Sequence, residues 1–519
     1  MLLTRRALPV FSVSVFWGLV ACVVVLAGCV RGPSVPPIQG MPEVPPAAES
    51  RVAPAPVGAS GQQAQPRPLD PVETVEVEAP LPSTEPVSAE GQSVQEGPTR
   101  YSDDRALSPL TPAVVQRLRA IRERGATRAA RVFMKTGASE IEDFRHLHCF
   151  DPDPGFPFAV DLGSYGELED SLEFFRHGQA AGGSPFGRTS LAVSVGRSAG
   201  WPLSGRRPPL TREIEVLNPA WALISFGTND LNLGLSPLRA VDPYFENLTT
   251  LVDRLIDEGV VPVVFGPGMR ADSLEASRWT HVYNEVTRGI AEARQVPYVD
   301  LTVAFAELPD HGLARDGVHG NAWVDEMGRA QPCVFNDEAL EYYYNTRNLL
   351  TLDVLAGLRL ALVEEEPAVV EAPPRSPLQG QGTAQDPFVI DRLPFAHMAH
   401  TDRIGERRVD AYGCGGDQDL SGPEVVYRLE LDEALPLRVL VVDRNEADID
   451  VHLLDADQDP DACLGRDDRI LAGRLPLGTY HLALDTYVEA SGRARPGEYL
   501  LVVMSCAEDD TDCDRPLIP

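Results

Sequence analysis

The sequence predicts an α/β fold built on a parallel sheet over residues 101–363, followed by an all-β sandwich over residues 385–507. In the first region helical periodicity alternates with short, uninterrupted apolar runs, as strands buried on both faces require. The second region offers strand-like runs with only turn residues between them. Composition separates the two. Residues 31–100 hold fifteen prolines and no Phe, Trp or Tyr, and residues 364–384 (EEEPAVVEAPPRSPLQGQGTA) form a second proline-rich break. Neither stretch can bury enough apolar surface to fold alone. The 519 residues carry 45 Lys+Arg against 77 Asp+Glu, a net charge of −32. Such a polyanion is repelled by a phosphate backbone, which excludes nucleic acid as the partner.

The first element is a targeting segment. Arg5 and Arg6 precede an uncharged apolar run, Val10 to Leu26, that ends in Leu26-Ala27-Gly28-Cys29. This is a signal peptide over residues 1–28 with a small-residue cleavage site. Its end resembles the lipobox of bacterial lipoproteins, which implies acylation of Cys29. An uncleaved transmembrane anchor is the alternative, for which the run is short. Val30 stands where an Asp would, by the same resemblance, hold the protein in the inner membrane, so the expected location is the cell envelope, at the outer membrane. Residues 29–100 then form a disordered tether, with a coil reach of roughly 45 Å.

Within residues 101–363, amphipathic patterns predict helices at Pro112–Arg124, Pro243–Glu258, Ser273–Arg294 and Asn348–Glu364. Apolar runs predict strands at Arg131–Met134, Leu191–Val195, Trp221–Phe226, Val260–Phe265 and Val296–Leu301. Ligands of such sheets bind where strands end. The residues there are Lys135-Thr-Gly-Ala-Ser139, Gly196-Arg-Ser-Ala-Gly200, Gly227-Thr-Asn-Asp230 and, after the last run, Arg315-Asp-Gly-Val-His-Gly320. They supply a hydroxyl nucleophile, an imidazole base, a carboxylate to orient it and donors for an oxyanion, the inventory of acyl transfer.

These motifs resemble the SGNH or GDSL hydrolases, over residues of about 130–362. The resemblance implies a three-layer α/β/α domain, Ser139 as nucleophile, Asp316 and His319 as its partners, and an oxyanion hole from Ser139, Gly200 and Asn229. Two departures stand out. Gly137-Ala138-Ser139 replaces the family's usual Gly-Asp-Ser, which is expected to loosen the nucleophile loop. Cys149 to Gly187 reads as an insertion expected to roof or obstruct the site. A rival nucleophile is Ser198, in a Gly-x-Ser-x-Gly pattern like the elbow of α/β-hydrolases. The elbow needs a helix directly behind the serine, and Trp201-Pro202 and Pro208-Pro209 oppose one.

Three other features are weighed against simpler readings. His146, His148 and Cys149 lack a second ligand pair, so they read as surface or lid residues and not as a metal centre. Tyr342-Tyr343-Tyr344 reads as packing before the last helix. Lys135, the one lysine of the chain, lies near the nucleophile and adds positive potential there.

In residues 385–507 the predicted strands are Val425–Leu431, Leu437–Val442, Ile449–Leu454, Thr479–Leu484 and Tyr499–Met504, several alternating as half-buried sandwich strands do. Gly-Pro-Glu-Val-Val-Tyr427, Asp448-Ile-Asp-Val-His-Leu-Leu454 and Gly478-Thr-Tyr-His-Leu-Ala-Leu-Asp485 resemble the pre-peptidase C-terminal domain appended to secreted bacterial enzymes. From Gly380 onward 29 acidic residues face 13 basic ones, and residues 508–519 read as an acidic tail. Asp455-x-Asp457-x-Asp459-Pro460 lacks the Gly and Glu of an EF-hand, which leaves a solvated acidic turn as the default and a looser calcium site open. An oxidising compartment permits disulfides, and the six cysteines after Cys29 allow fifteen connectivities, among which Cys149–Cys333, Cys414–Cys463 and Cys506–Cys513 are the candidate pairs.

The sequence therefore points to a lipid-anchored serine ester hydrolase acting on an acylated carbohydrate, a lipid or another ester, and needing no cofactor. An inactive relative serving in binding or envelope structure is the alternative from a different class.

Overall fold

The computed structural model describes residues 97–234, 236–366, 374–416, 418–507 and 510–518. The signal-peptide, Cys29 and most of the tether readings fall on residues 1–96, outside the described residues, as does the middle of the predicted linker. Among the described residues no helix is long and apolar enough to cross a membrane.

Helix α1 (Pro112–Arg124) opens on Thr111, whose hydroxyl accepts from the Val114 N–H, with Pro112 at the first helical position. It buries Val114, Val115, Leu118 and Ile121, one stripe of a 3.6-residue period. Strand β1 (Ala129–Gly137) follows, then the single turn α2 (Ser139–Glu142). The chain continues through β2 (Val160–Asp161), α3 (Glu169–Arg176), α4 (Pro209–Leu217), β3 (Pro219–Ser225), α5 (Pro237–Asp257), β4 (Val261–Phe265), α6 (Leu274–Arg294), β5 (Tyr298–Val299), α7 (Leu301–Phe305), β6 (Cys333–Val334) and α8 (Tyr343–Leu362). Strands β1, β3, β4 and β5 form a parallel sheet in the order β1-β3-β4-β5. Its pairings Gly137 with Ser225, Ser225 with Phe265 and Phe265 with Val299 align the carboxyl ends in one row. All seven residues of β3 are buried, because helices cover both faces of a parallel sheet.

Four expectations need correction. Leu191–Val195 is not a strand but a single parallel bridge from Val193 to Gly137. Only Ala192 of that run is buried, and the Ser190 hydroxyl, bonded to the Lys135 carbonyl at 2.6 Å, supplies part of the attachment a ladder would give. The run from Val296 yields only two strand residues, because Asp300 caps α7 by accepting from the N–H groups of Thr302 and Val303. Helix α5 starts six residues before the predicted Pro243, at Pro237, since Ser236 is its cap, and α8 starts at Tyr343 and not at Asn348.

The segment from Cys149 to Gly187 packs beside β1. Its rings Phe150, Phe175 and Phe186 interlock with Phe133 or with each other at centroid distances of 5.2–5.8 Å. The Lys135 ammonium donates to the Phe186 carbonyl at 2.9 Å. The Cys149–Cys333 disulfide and the β2–β6 pair fasten the segment to the chain before α8. The other expected disulfides, Cys414–Cys463 and Cys506–Cys513, are also present.

The remaining strands are β7 (Phe388–Ile390), β8 (Phe395–His400), β9 (Glu424–Leu431), β10 (Leu435–Asp443), β11 (Ile449–Leu454), β12 (Gly465–Asp467), β13 (Ile470–Leu475), β14 (Gly478–Thr486) and β15 (Glu498–Ser505). They form two sheets, β13-β10-β15-β8 and β12-β11-β14-β9-β7, face to face over a core that includes Tyr427, Val439, Leu453, Leu482 and Leu501. The first sheet is buried on its outer side too. Ala396, Leu440, Val442, Leu500 and Val502 join the core of the α/β domain, so helices α5 and α6 lie between two sheets. Arg294 of α6 ties this contact by pairing with Asp253 of α5 and Glu498 of β15, and Arg444 joins both carboxylates. Asp510, in the stretch read as an acidic tail, is buried against Arg438 at 2.9 Å.

Candidate active site

The row of strand ends gathers the residues singled out by the sequence. Ser139 is the first residue of α2, directly behind β1. The His319 Nε2 lies 3.1 Å from the Ser139 Oγ, and the His319 Nδ1 lies 2.8 Å from the Asp316 Oδ2. Asp316 uses its other oxygen to accept the N–H groups of Val318 and His319, both at 3.0 Å. These bonds, first that of the His319 ring and then those of the backbone, hold the Asp316 carboxyl down at about 2. It therefore stays ionised and fixes the imidazole with its Nδ1 protonated and its Nε2 lone pair toward the serine.

The histidine loop is clamped from two sides. Asn321 accepts the Tyr343 N–H through its side chain and the Tyr344 N–H through its carbonyl, so the start of α8 carries the loop. A Cβ on Gly320 would sit 2.2 Å from the Tyr343 ring, which leaves glycine as the residue that fits there. On the other side the Ala271 N–H donates to the Gly317 carbonyl at 2.8 Å. The insertion does not obstruct the site as expected, since the side chains of His319 and Asp316 remain 42% and 52% exposed.

Gly200 and Asn229 sit on two further loops, the second directly after β3. One hydrogen of the Asn229 amide bonds the Arg197 carbonyl at 3.3 Å, and an amide carries a second. Their spacing depends on Asp230, which is fully buried and which sequence reasoning passed over as part of a turn. Its Oδ1 accepts the Ala199 N–H at 2.9 Å and its Oδ2 the Gly227 N–H at 3.1 Å. One carboxylate thus binds the loop of Gly200 to the loop of Asn229. Burial raises this carboxyl to about 6 against the pull of its backbone donors. Arg270 adds a further brace, donating to the Thr228 carbonyl at 2.8 Å while pairing with Asp272 at 2.6 Å.

The expected looseness at Ala138 is also corrected. Glu140, next to Ser139, is buried and accepts from Arg347 of α8 at 2.7 Å, and Arg347 continues to the Ser225 hydroxyl at 2.9 Å and the Tyr343 hydroxyl at 2.9 Å. This buried charged pair lies one residue past Ser139 and ties α2 to α8. The signal in the sequence was a glutamate beside a candidate nucleophile, but its partner lies more than two hundred residues away.

Ser198 lies on the Gly200 loop. Only the three-residue turn Trp201–Leu203 follows it, and the next helix, α4, begins at Pro209, so the elbow's helix is missing there. The histidine is directed to Ser139 instead. His146, expected at the surface or in a lid, is fully buried, and Cys149 is consumed by its disulfide. Tyr343 and Tyr344 are buried as packing residues, although they open α8 and do not precede it. Asp455 and Asp459 accept the N–H groups of Asp457 and Asp461, local turn bonds in an exposed loop.

Residues 179–323 match the GDSL-like Lipase/Acylhydrolase family, a stretch that contains Gly200, Asn229, Asp316 and His319 and begins after Ser139. No curated protein matches the chain. Among solved structures the chain is similar to a GDSL-like lipase from Bacteroides thetaiotaomicron, at 14% identity over 47% of this chain and 98% of that one, with a TM-score of 0.27. It is similar to a catalytic mutant of an acetylxylan esterase from Geobacillus stearothermophilus, at 17% identity over 42% and 92%, with a TM-score of 0.27. It is also similar to the pre-peptidase C-terminal domain of a collagenase from Bacillus anthracis, at 17% identity over 21% and 89%, with a TM-score of 0.15.

Proposed function

We propose that this chain hydrolyses esters through Ser139, His319 and Asp316, as a lipoprotein held at the outer membrane through Cys29. The GDSL-like acylhydrolase match supports ester hydrolysis as the reaction class. The observation that carries the residue assignment is the contact of the His319 Nε2 with the Ser139 Oγ at 3.1 Å, continued to Asp316. The Ser139 oxygen attacks the ester carbonyl while its proton passes to the His319 Nε2. The Ser139 and Gly200 N–H groups and the Asn229 amide receive the oxyanion of the tetrahedral intermediate. Its collapse releases the alcohol, which takes the proton from His319, and leaves an acyl group on Ser139. Water, deprotonated by the same imidazole, then frees the acid.

The substrate of this reading is an acylated carbohydrate or lipid within reach of an envelope-anchored enzyme. The anchor follows from the lipobox-like Leu26-Ala27-Gly28-Cys29 and the proline-rich tether. Labelling residues 97–519 with a fluorophosphonate and mapping the modified peptide tests the chemistry. Label on Ser139 that disappears in His319→Ala is expected. Label on Ser198 would install the elbow reading, and a folded protein without label or turnover would leave a binding role. Metabolic labelling of the full chain with a radioactive fatty acid, lost in Cys29→Ala, tests the anchor.

A further inference from the structure

Three phenylalanine rings crowd together at the surface, the first of them five residues after Ser139. Phe156 and Phe158 lie 4.7 Å apart between centroids, and Phe144 stands 6.2 Å from the first and 6.1 Å from the second. Phe144 is 51% and Phe156 39% exposed. Aromatic rings of a soluble domain are normally its most buried groups, and a contiguous exposed set marks a surface that something covers.

Hydrogen bonds tie the segments that carry the rings to Ser139 and to the hairpin after His319. Phe144 follows Asp143, whose N–H donates to the Ser139 carbonyl at 3.0 Å and whose carboxylate pairs with Arg145 at 2.6 Å. Phe156 and Phe158 flank Pro157, whose carbonyl accepts from the Gln331 amide at 3.3 Å, and the same side chain accepts the Ala159 N–H at 2.7 Å. Gln331 closes the hairpin that leaves the His319 loop, and this hairpin presents Val324 and Met327 to solvent at 48% and 69% exposure. The Cys149–Cys333 disulfide joins the stretch between Phe144 and Phe156 to the chain just after Gln331.

The histidine side of the site has a defined chemical meaning. The ester carbonyl oxygen must turn toward Gly200 and Asn229, whereas the departing oxygen must reach the His319 Nε2 to collect its proton. The alcohol half of the substrate therefore extends past His319. We propose that Phe144, Phe156 and Phe158 form the surface on which this alcohol rests, and that the alcohol carries a ring with an apolar face. The inference rests on the serine-esterase reading above. A flat ring covers an aromatic face with little loss of rotational freedom, and none of these side chains offers a hydrogen bond that would require a polar partner.

Hydrolysis of three esters, followed by acid release, tests the surface: ethyl acetate, cyclohexylmethyl acetate and methyl cyclohexanecarboxylate. In the Phe144→Ser, Phe156→Ser double variant, kcat/KM for cyclohexylmethyl acetate is expected to fall roughly tenfold to fiftyfold, mostly through KM, as loss of an apolar contact dictates. Ethyl acetate should stay within about twofold, since its alcohol is too short to use the rings. A loss confined to the cyclohexanecarboxylate would assign the rings to the acyl group and overturn the proposal. Equal losses on all three esters, or none, would overturn it as well. Binding of cyclohexylmethanol to the Ser139→Ala variant, read by saturation-transfer NMR, gives a measure free of turnover and should vanish when both phenylalanines are replaced. A wild-type protein that turns over none of the esters and takes no fluorophosphonate would instead remove the esterase reading, a distinct result.

Discussion

The Arg347 guanidinium donates to the Glu140 carboxylate at 2.7 Å with both side chains buried, so the residue after the candidate nucleophile is anchored to the last helix of the α/β domain. The pair joins the two ends of the site, since α8 also carries the loop of His319 through Tyr343 and Tyr344.

Breaking that pair from one side leaves a buried charge without its partner. Arg347→Met is expected to cost about 3–5 kcal/mol, read as a lower urea midpoint at unchanged slope. Arg347→Lys keeps the charge but loses the fork that reaches Glu140, Ser225 and Tyr343 together, so it should recover only part of the loss.

The loops of Gly200 and Asn229 make a kinetic prediction for the proposed esterase. Asn229→Ala removes one donor from the developing charge and should lower kcat about 10²–10³-fold with little change in KM. Asp230→Asn places an NH₂ group against one of the two backbone N–H groups that the carboxylate now accepts. It should lower kcat by roughly tenfold and the melting temperature as well, because both loops lose their shared anchor.

A pH dependence is built into the sandwich. Asp485 of β14 lies in register between Glu424 of β9 and Asp450 of β11, and all three carboxyl groups are buried. The Tyr412 hydroxyl donates a hydrogen bond to the Glu424 carboxylate, and Asp485 is raised to about 9, first by burial and then by the charge of Glu424. The folded protein thus holds a proton that the unfolded chain releases near pH 4, and stability falls as pH rises from about 4 to 9. Asp485→Asn is neutral throughout, so its melting temperature relative to wild type should climb between pH 5 and pH 9. A constant difference would contradict the assignment.

The contact between the two sheets and the helices makes a packing prediction. A Cβ at Gly289 of α6 would sit 2.6 Å from the Leu500 Cδ1, so the helix needs glycine there for the sandwich to approach. Gly289→Leu should force the sandwich away from α6 and split one calorimetric transition into two, although leucine is the better helix former. A single transition at an unchanged temperature would show that the contact tolerates the added bulk.

Local chemistry made much of the site legible. Ser139 and Asn229 stand just after β1 and β3, while Gly200, Asp316 and His319 lie in short loop motifs that set their own turns. Asp316 reaches His319 from three residues away with the help of two backbone bonds, so that pair hardly depends on the rest of the fold. Their positioning partners were less legible. Asp230 is one of many Asp residues after a strand, and only the approach of the Ala199 N–H makes it a brace. Glu140 finds Arg347 across the chain, and no periodicity encodes that meeting.

By itself the sequence determined the element types, the order of the site motifs and the alternation that separates an α/β region from a β region, because these follow from short-range sterics and from which faces are apolar. Tertiary structure alone decided what the second face of the sandwich meets. Leu437–Val442 is apolar at nearly every position because Val439 and Val441 fill the sandwich while Leu440 and Val442 cover α5 and α6. An apolar run announces burial on two sides but not the partner on either. The partner is chosen by shape, by the glycine at position 289 that permits close approach, and by the Arg294 and Arg444 pairs that fix the register of the contact.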